Sequence, residues 1–298
     1  MGGSAQALVG AQIVSKWRPL VNEHPIGTRL SAQTACQSRV WTHSVGIINS
    51  IRKFDPDRRM DWEAMGTGCV ARWGNHHFIL TASHVIHDDA KPGDLRLFWR
   101  PYGDDVYLAD SHLRPEDIVN GIPIKDPNAT IHRCQWEDLA IITIGPSEVG
   151  PYSEAIDINT AWADPETGEV VHVFGYPSDR HIVVDNRVVS ASRREVTAAI
   201  RPDIFSGEVM SGPNFLTNDF DPDHHYLVPY THPMSQDPKG FSGAAAWWEP
   251  PDPQHVWRPN FKFAGICTHA YKKGTVERIV KASAVRRFVA EELGAHEG

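Results

Sequence analysis

GTGCVARWGNHHFILTASHVI, residues 66–86, holds two short runs rich in β-branched and aromatic residues, joined by Gly74-Asn75. A Gly/Asn pair between such runs signals a hairpin, because tight turns need residues that tolerate positive φ. The second run, HHFILTA (76–82), leads into a small-residue turn that presents His84. The same texture extends on both sides. Further candidate strands are VWTHSVGIINSI (40–51), LRLFWR (95–100), DLAIITI (138–144), EVVHVFGY (169–176), HIVVDNRVVSAS (181–192), EVTAAI (195–200), HYLVPYT (225–231), GAAAWW (243–248) and FKFAGICTHA (261–270). So many short strands with almost no helical periodicity exceed one small sandwich, whereas two barrels would use them well.

The expected fold is therefore all-β: two six-stranded antiparallel barrels and a short C-terminal helix. AIDINTAWADPETG (155–168) is rich in Asp, Pro and Gly and reads as the link. This divides the chain into an extension over 1–39, a first barrel over 40–154 and a second over 155–298. Ala5 to Trp17 has the pattern of a short helix, broken after it by Pro19, Pro25 and Gly27. SAVRRFVAEEL (283–293) reads as an amphipathic helix, with Val285, Phe288, Val289 and Leu293 on one face. The stretch 201–237 is rich in Asp, His and Pro and reads as a long functional or mobile loop.

Composition narrows the function. Over 298 residues the hydrophobic share is 41% and the charged share 22%, enough for a real core. Net charge is −8, and Arg193-Arg194 and Arg286-Arg287 are isolated pairs, so nucleic acid is not expected as a partner. No segment has the uninterrupted apolar length of a membrane span. MGGSAQALVGAQIVSKW (1–17) lacks an early positive charge, and its apolar stretch is broken, so no secretory signal is read and a cytoplasmic location is expected. Cys36, Cys69, Cys134 and Cys267 are widely spaced. Free, mostly buried thiols are the first reading; two disulfides in a secreted protein are the rival.

Three segments carry chemistry. FILTASHVI (78–86) ends a hydrophobic strand at His84. WEDLAIITI (136–144) places Asp138 where a buried strand begins. DPKGFSGAAAW (237–247) is a Gly-flanked turn that presents Ser242. A serine hydroxyl needs a base to take its proton as it attacks, and histidine suits that role near neutral pH. A carboxylate holds the imidazole in one tautomer. Backbone N–H groups of Gly240 and Ser242 would form an oxyanion hole in a sharp turn. Each string alone occurs by chance; three in order, each in a strand–turn context, do not.

As a set these segments resemble the His, Asp and Ser motifs of trypsin-like serine proteases, and most closely the bacterial Deg/HtrA-type branch. GTGCVARWGNHHFILTASHVI, DLAIITI, VVHVFGYP (170–177), FAGICTHA (263–270) and KASAVRRF (281–288) each resemble a segment of that branch. The resemblance implies a serine endopeptidase with a two-barrel fold and a polypeptide substrate. It also implies Ser242 as nucleophile, His84 as general base and Asp138 as orienting carboxylate. No PDZ domain is expected after the helix. By the same resemblance the substrate pocket draws on Gln236, Asp237, Thr268, His269 and Ala270. Phe241 stands where the secreted enzymes carry an Asp that pairs with a new N-terminus, and Ala244 replaces a Gly.

No cofactor or metal is expected. His76-His77 and His224-His225 are adjacent pairs that point to opposite faces of a strand, and read as hairpin and loop surface. Asp219, Asp221 and Asp223 lack the Gly and distal Glu of a calcium loop. Two other functions remain open: a catalytically weak, protease-like module that binds peptides or a regulatory partner, and an esterase on the same fold.

Overall fold

The computed structural model describes residues 43–49, 65–98, 106–107, 122–148, 154–177, 182–190, 193–200, 203–210, 212, 219–230, 238–250, 260–271 and 275–294. The extension over 1–39, with the helix expected at Ala5 to Trp17, lies outside them. The first half of the chain forms β1 (Ser44–Asn49), β2 (Met65–Trp73), β3 (His76–Ala82), β4 (Leu95–Phe98), β5 (Val106–Tyr107), β6 (Ile122–Pro123), β7 (Ile131–Cys134), β8 (Leu139–Ile144) and β9 (Ile156–Asp157). Then follow β10 (Val170–Gly175), β11 (Ile182–Ser190), β12 (Arg193–Ile200), β13 (Asp203–Glu208), β14 (His225–Pro229), β15 (Ala245–Trp248), β16 (Lys262–Tyr271) and β17 (Val276–Lys281). Among the described residues one α-helix, α1 (Ala282–Leu293), follows β17 directly.

These strands build two main sheets. The first runs β6-β4-β1-β2-β3-β8-β7, with β9 added parallel to β2, eight strands in all. The second runs β13-β10-β15-β16-β17-β14. Its two edges meet where Met210 N–H, just past β13, donates to Leu227 O of β14 at 2.9 Å, which closes a six-stranded barrel. A separate ribbon, β11-β12-β5, joins the two halves of the sequence. The all-β expectation with its terminal helix is borne out.

Alternation along the strands explains why both faces are apolar. In β3, Phe78 and Leu80 face a core shared by the two sheets, while Ile79 faces the interior of the first. In β8, Leu139 and Ile141 face the shared core, and Ala140, Ile142 and Ile144 face the interior. Strands buried on both faces read as continuous apolar runs, which is why HHFILTA and LAIITI are so legible. The shared core takes Phe174, Trp247, Phe263, Ile266 and Val280 from the second sheet. It is capped by Val285, Phe288, Val289 and Leu293 of α1, the face that periodicity predicts.

The structure departs from the sequence reading over 201–237 and over the link. The stretch 201–237 is not one long loop: 203–208 is β13, an edge of the second barrel, while the strand expected at 225–231 is β14 over 225–229. Its polar, Gly-containing sequence DIFSGE hides a strand that buries only Phe205 well. The link 155–168 is also anchored, through β9 and through a bridge between Trp162 and Phe263.

One acidic residue of β17 enters the second barrel. Glu277 is 2% exposed, accepts the Cys267 S–H at Oε2 (3.2 Å), and leaves Oε1 without a partner. Burial pushes its carboxyl from 4.5 up to about 8. Between those two values the folded chain keeps a proton that the unfolded chain releases, so stability falls as pH rises through that window. Glu277→Gln stays neutral throughout. The variant is expected to lack this decline and to gain on the order of 3–5 kcal/mol over the parent by about pH 8. Urea unfolding at pH values from about 4.5 to about 8.5 measures both slopes.

Candidate active site

His84 sits in a single 3-10 turn, Ser83–Val85, directly after β3. Arg133 of β7 holds that turn from behind. Its Nη1 donates to Ser83 O and Ile86 O, both at 3.0 Å, and its Nη2 to His87 O at 2.7 Å. A planar guanidinium suits this because its donors form a rigid fork.

Asp138 ends the turn between β7 and β8. Its φ is 56°, the only positive value among the described non-glycine residues. Asp tolerates this region better than most residues, at a cost of about 1 kcal/mol. The unusual backbone aims the carboxylate at His84. Oδ1 accepts the His84 backbone N–H at 3.0 Å, and Oδ2 accepts Nδ1–H at 2.7 Å. Ser83 N–H also donates to Asp138 O at 2.9 Å. An ionised carboxylate has no proton to give, so Nδ1 carries it and Nε2 keeps its lone pair. The imidazole is half exposed, and its Nε2 has no hydrogen-bond partner among the described residues.

Ser242 lies in a turn closed by Phe241 N–H to Pro238 O (3.0 Å) and Ala244 N–H to Phe241 O (2.8 Å). Gly243 has φ 83°, and a Cβ there would stand 2.0 Å from Thr67 O and 2.1 Å from Thr81 Oγ1. Only glycine fits. This close approach sets the serine turn against β2 and the end of β3, which leads straight to His84. Thr67 completes the junction. Its N–H donates to Ser242 O (2.9 Å), its hydroxyl donates to Gly240 O (2.7 Å) and accepts from Tyr176 N–H (2.9 Å). The backbone N–H groups of Gly240 and Ser242 have no acceptor among the described residues. No hydrogen bond joins Ser242 Oγ to His84 among them either; the Gly243 approach sets the serine turn against the end of β3, two residues before His84.

Phe241 explains what replaces an ion pair at this turn. It is fully buried in the second barrel, edge-on to Phe205 (5.1 Å) and Tyr230 (6.0 Å). Ala244 is equally buried, and its N–H and C=O are both bonded, so its methyl is accommodated.

Of the residues expected at the pocket, Thr268, His269 and Ala270 lie among the described residues. Gly243 N–H donates to Cys267 O at 2.7 Å, which puts Thr268, His269 and Ala270 beside the serine turn. Thr268 is buried and accepts Arg278 Nε–H at 3.1 Å. Partial burial, then the charge on Arg278, lowers the pKa of the His269 imidazole. Gln236 and Asp237 lie outside the described residues.

Some site residues escape sequence reasoning. Thr67 and Arg133 carry no motif. His224 and His225 are not loop surface: both bond the carboxylate of Glu137, and His225 is 3% exposed. Strand alternation misled because His224 belongs to a turn and only His225 opens β14. Among the described residues no three His, Cys, Asp or Glu side chains are grouped as metal ligands.

The family model described as a trypsin-like peptidase domain matches residues 66–246, more than half of the chain. The chain belongs to the trypsin-like peptidase family. It is a serine protease hydrolase, as the motifs imply. The solved structures it is similar to include the serine endoprotease from Yersinia pestis, at 16% identity and a TM-score of 0.49, covering 89% of this chain and 67% of that one. An inactive serine-to-alanine mutant of Rv3671c from M. tuberculosis matches at 16% identity and a TM-score of 0.44, covering 94% and 98%. No curated protein matches the chain.

Phe241→Ala empties a fully buried site beneath the serine turn. The expected cost is about 3–5 kcal/mol of unfolding free energy, the usual range for Phe-to-Ala in a core. Chemical denaturation checks the loss.

Proposed function

We propose that the protein cleaves peptide bonds through an acyl-enzyme, with Ser242 as nucleophile, His84 as general base and Asp138 as the orienting carboxylate. Residues 40–154 supply the base and its carboxylate, and 155–298 the nucleophile. The observation that carries this reading is the pair of hydrogen bonds from His84 to Asp138, made while the Gly243 contact holds the serine turn beside them.

Each step uses groups already described. Ser242 Oγ attacks the scissile carbonyl carbon as its proton passes to His84 Nε2. The negative oxygen that forms is met by the N–H groups of Gly240 and Ser242, which have no acceptor among the described residues. His84 returns the proton to the leaving amine as the C–N bond breaks. Water then attacks the ester, giving a proton to His84, and Ser242 regains its own. Asp138 stays ionised and stabilises the transient imidazolium. No metal or cofactor enters. The substrate is a polypeptide, and the setting we propose is the cytoplasm, on the sequence grounds given above.

A second reading is a protease-like module that binds peptides or a regulatory partner without turnover. The missing Ser242–His84 hydrogen bond favours it, although such bonds often tighten only with substrate bound. One experiment separates the two. A fluorophosphonate should label the protein at Ser242, and Ser242→Ala should lose labelling and lose peptide hydrolysis by about 10³-fold or more. Intact cleavage in the folded variant would sink the nucleophile assignment; an unlabelled parent would favour the binding module.

A further inference from the structure

Glu137 immediately precedes Asp138, and its side chain crosses to the second barrel. The residue is 7% exposed. Oε1 accepts from His224 Nδ1, and Oε2 accepts from His225 Nε2 at 2.8 Å. His225 Nδ1 accepts the Asp221 backbone N–H at 3.0 Å. That nitrogen therefore bears no proton, and His225 is the neutral Nε2–H tautomer aimed at Glu137. Burial alone would raise the Glu137 carboxyl pKa; the hydrogen bonds from His225 and then His224 outweigh it and hold the pKa below its ordinary value.

The position of this contact matters more than its strength. Asp138 holds a left-handed backbone conformation, and such strain persists only where the surroundings over-determine it. On the C-terminal side Leu139 is fully buried and pins the chain. On the N-terminal side Gln135 is exposed and Trp136 is 77% exposed. Glu137 is the anchor there. Its own support is firm: Lys281 N–H donates to His224 O (2.8 Å), His225 N–H to Asp221 O (2.7 Å), and Arg278 Nη1 to Asp219 O (2.8 Å).

We propose that Glu137, gripped by His224 and His225, is a positioning residue for Asp138: it ties the turn before β8 to the second barrel and so fixes the hydrogen bond between Asp138 and His84. The proposal rests on the triad reading above. Relaxation of Asp138 toward negative φ would swing both carboxylate oxygens away from His84.

The test compares Glu137→Ala, His225→Phe and His225→Gln with the parent. Gln keeps an N–H donor for Glu137, and Phe keeps only the bulk. Far-UV circular dichroism checks the fold, and His224→Ala, at the more exposed partner, serves as a milder lesion. Three readouts are needed: kcat and KM on a peptide, the fluorophosphonate labelling rate, and the far-downfield proton NMR resonance of His84 Nδ1–H. Glu137→Ala and His225→Phe should lose about 10–100-fold in kcat/KM, mainly in kcat, the scale of a misplaced catalytic group. The downfield resonance should vanish or shift in both, and His225→Gln should restore most of each signal. Folded Glu137→Ala or His225→Phe protein that keeps the parent's resonance and labelling rate overturns the proposal. Should the parent neither cleave nor label, the triad reading fails, and the resonance alone still decides whether Glu137 positions Asp138.

Discussion

The Thr67 side chain and backbone hold together what the rest of the molecule needs held. This residue is fully buried where the two sheets touch, and it bonds to both. Its carbonyl accepts from Thr81 on the neighbouring strand, and its hydroxyl and N–H reach Gly240, Tyr176 and Ser242 in the second half. A buried hydroxyl left unpaired costs roughly 1–3 kcal/mol, so a fully used one strongly favours a single arrangement. Apolar packing alone tolerates sliding between sheets; these directional bonds do not. They set the serine turn at one height along β2 and β3, and therefore at one distance from the turn that holds His84.

Around that junction, the contact between the two sheets combines apolar packing with directional polar bonds. The shared core of Phe78, Leu80, Ile141, Phe174, Trp247 and Phe263 supplies most of the burial. Thr67, Arg133 and the Glu137 cluster surround it where the chemistry lies. The serine turn combines both kinds of support, with Phe241 packed below and Thr67 bonded beside it. Among the described non-glycine residues, positive φ falls at Asp138 alone, where the chain bends to aim a carboxylate.

Much of this was legible in the sequence, for identifiable reasons. β3 and β8 are buried on both faces, so each is a continuous apolar run, and the polar residue at its end stands out: His84 after one, Asp138 before the other. Gly240 and Gly243 frame Ser242 because the chain there takes positive φ. β17 was hidden, since VERIVK places Glu277 and Arg278 at buried positions that a hydrophobic pattern would leave apolar. β13 was hidden by its polar composition. The pairing of Glu137 with His224 and His225 joins residues 87 and 88 positions apart, and no local pattern announces it.

Cys267 passes its carbonyl to Gly243, so a thiol lies one residue contact from the proposed nucleophile. Yet it is not a rival. Burial first, then the nearby Glu277 carboxyl, drives its pKa far up, and burial does the same for Cys69. A thiol attacks, oxidises or alkylates only as thiolate. Both sulfurs are therefore chemically silent while the chain is folded, and alkylation of either marks a molecule that has opened.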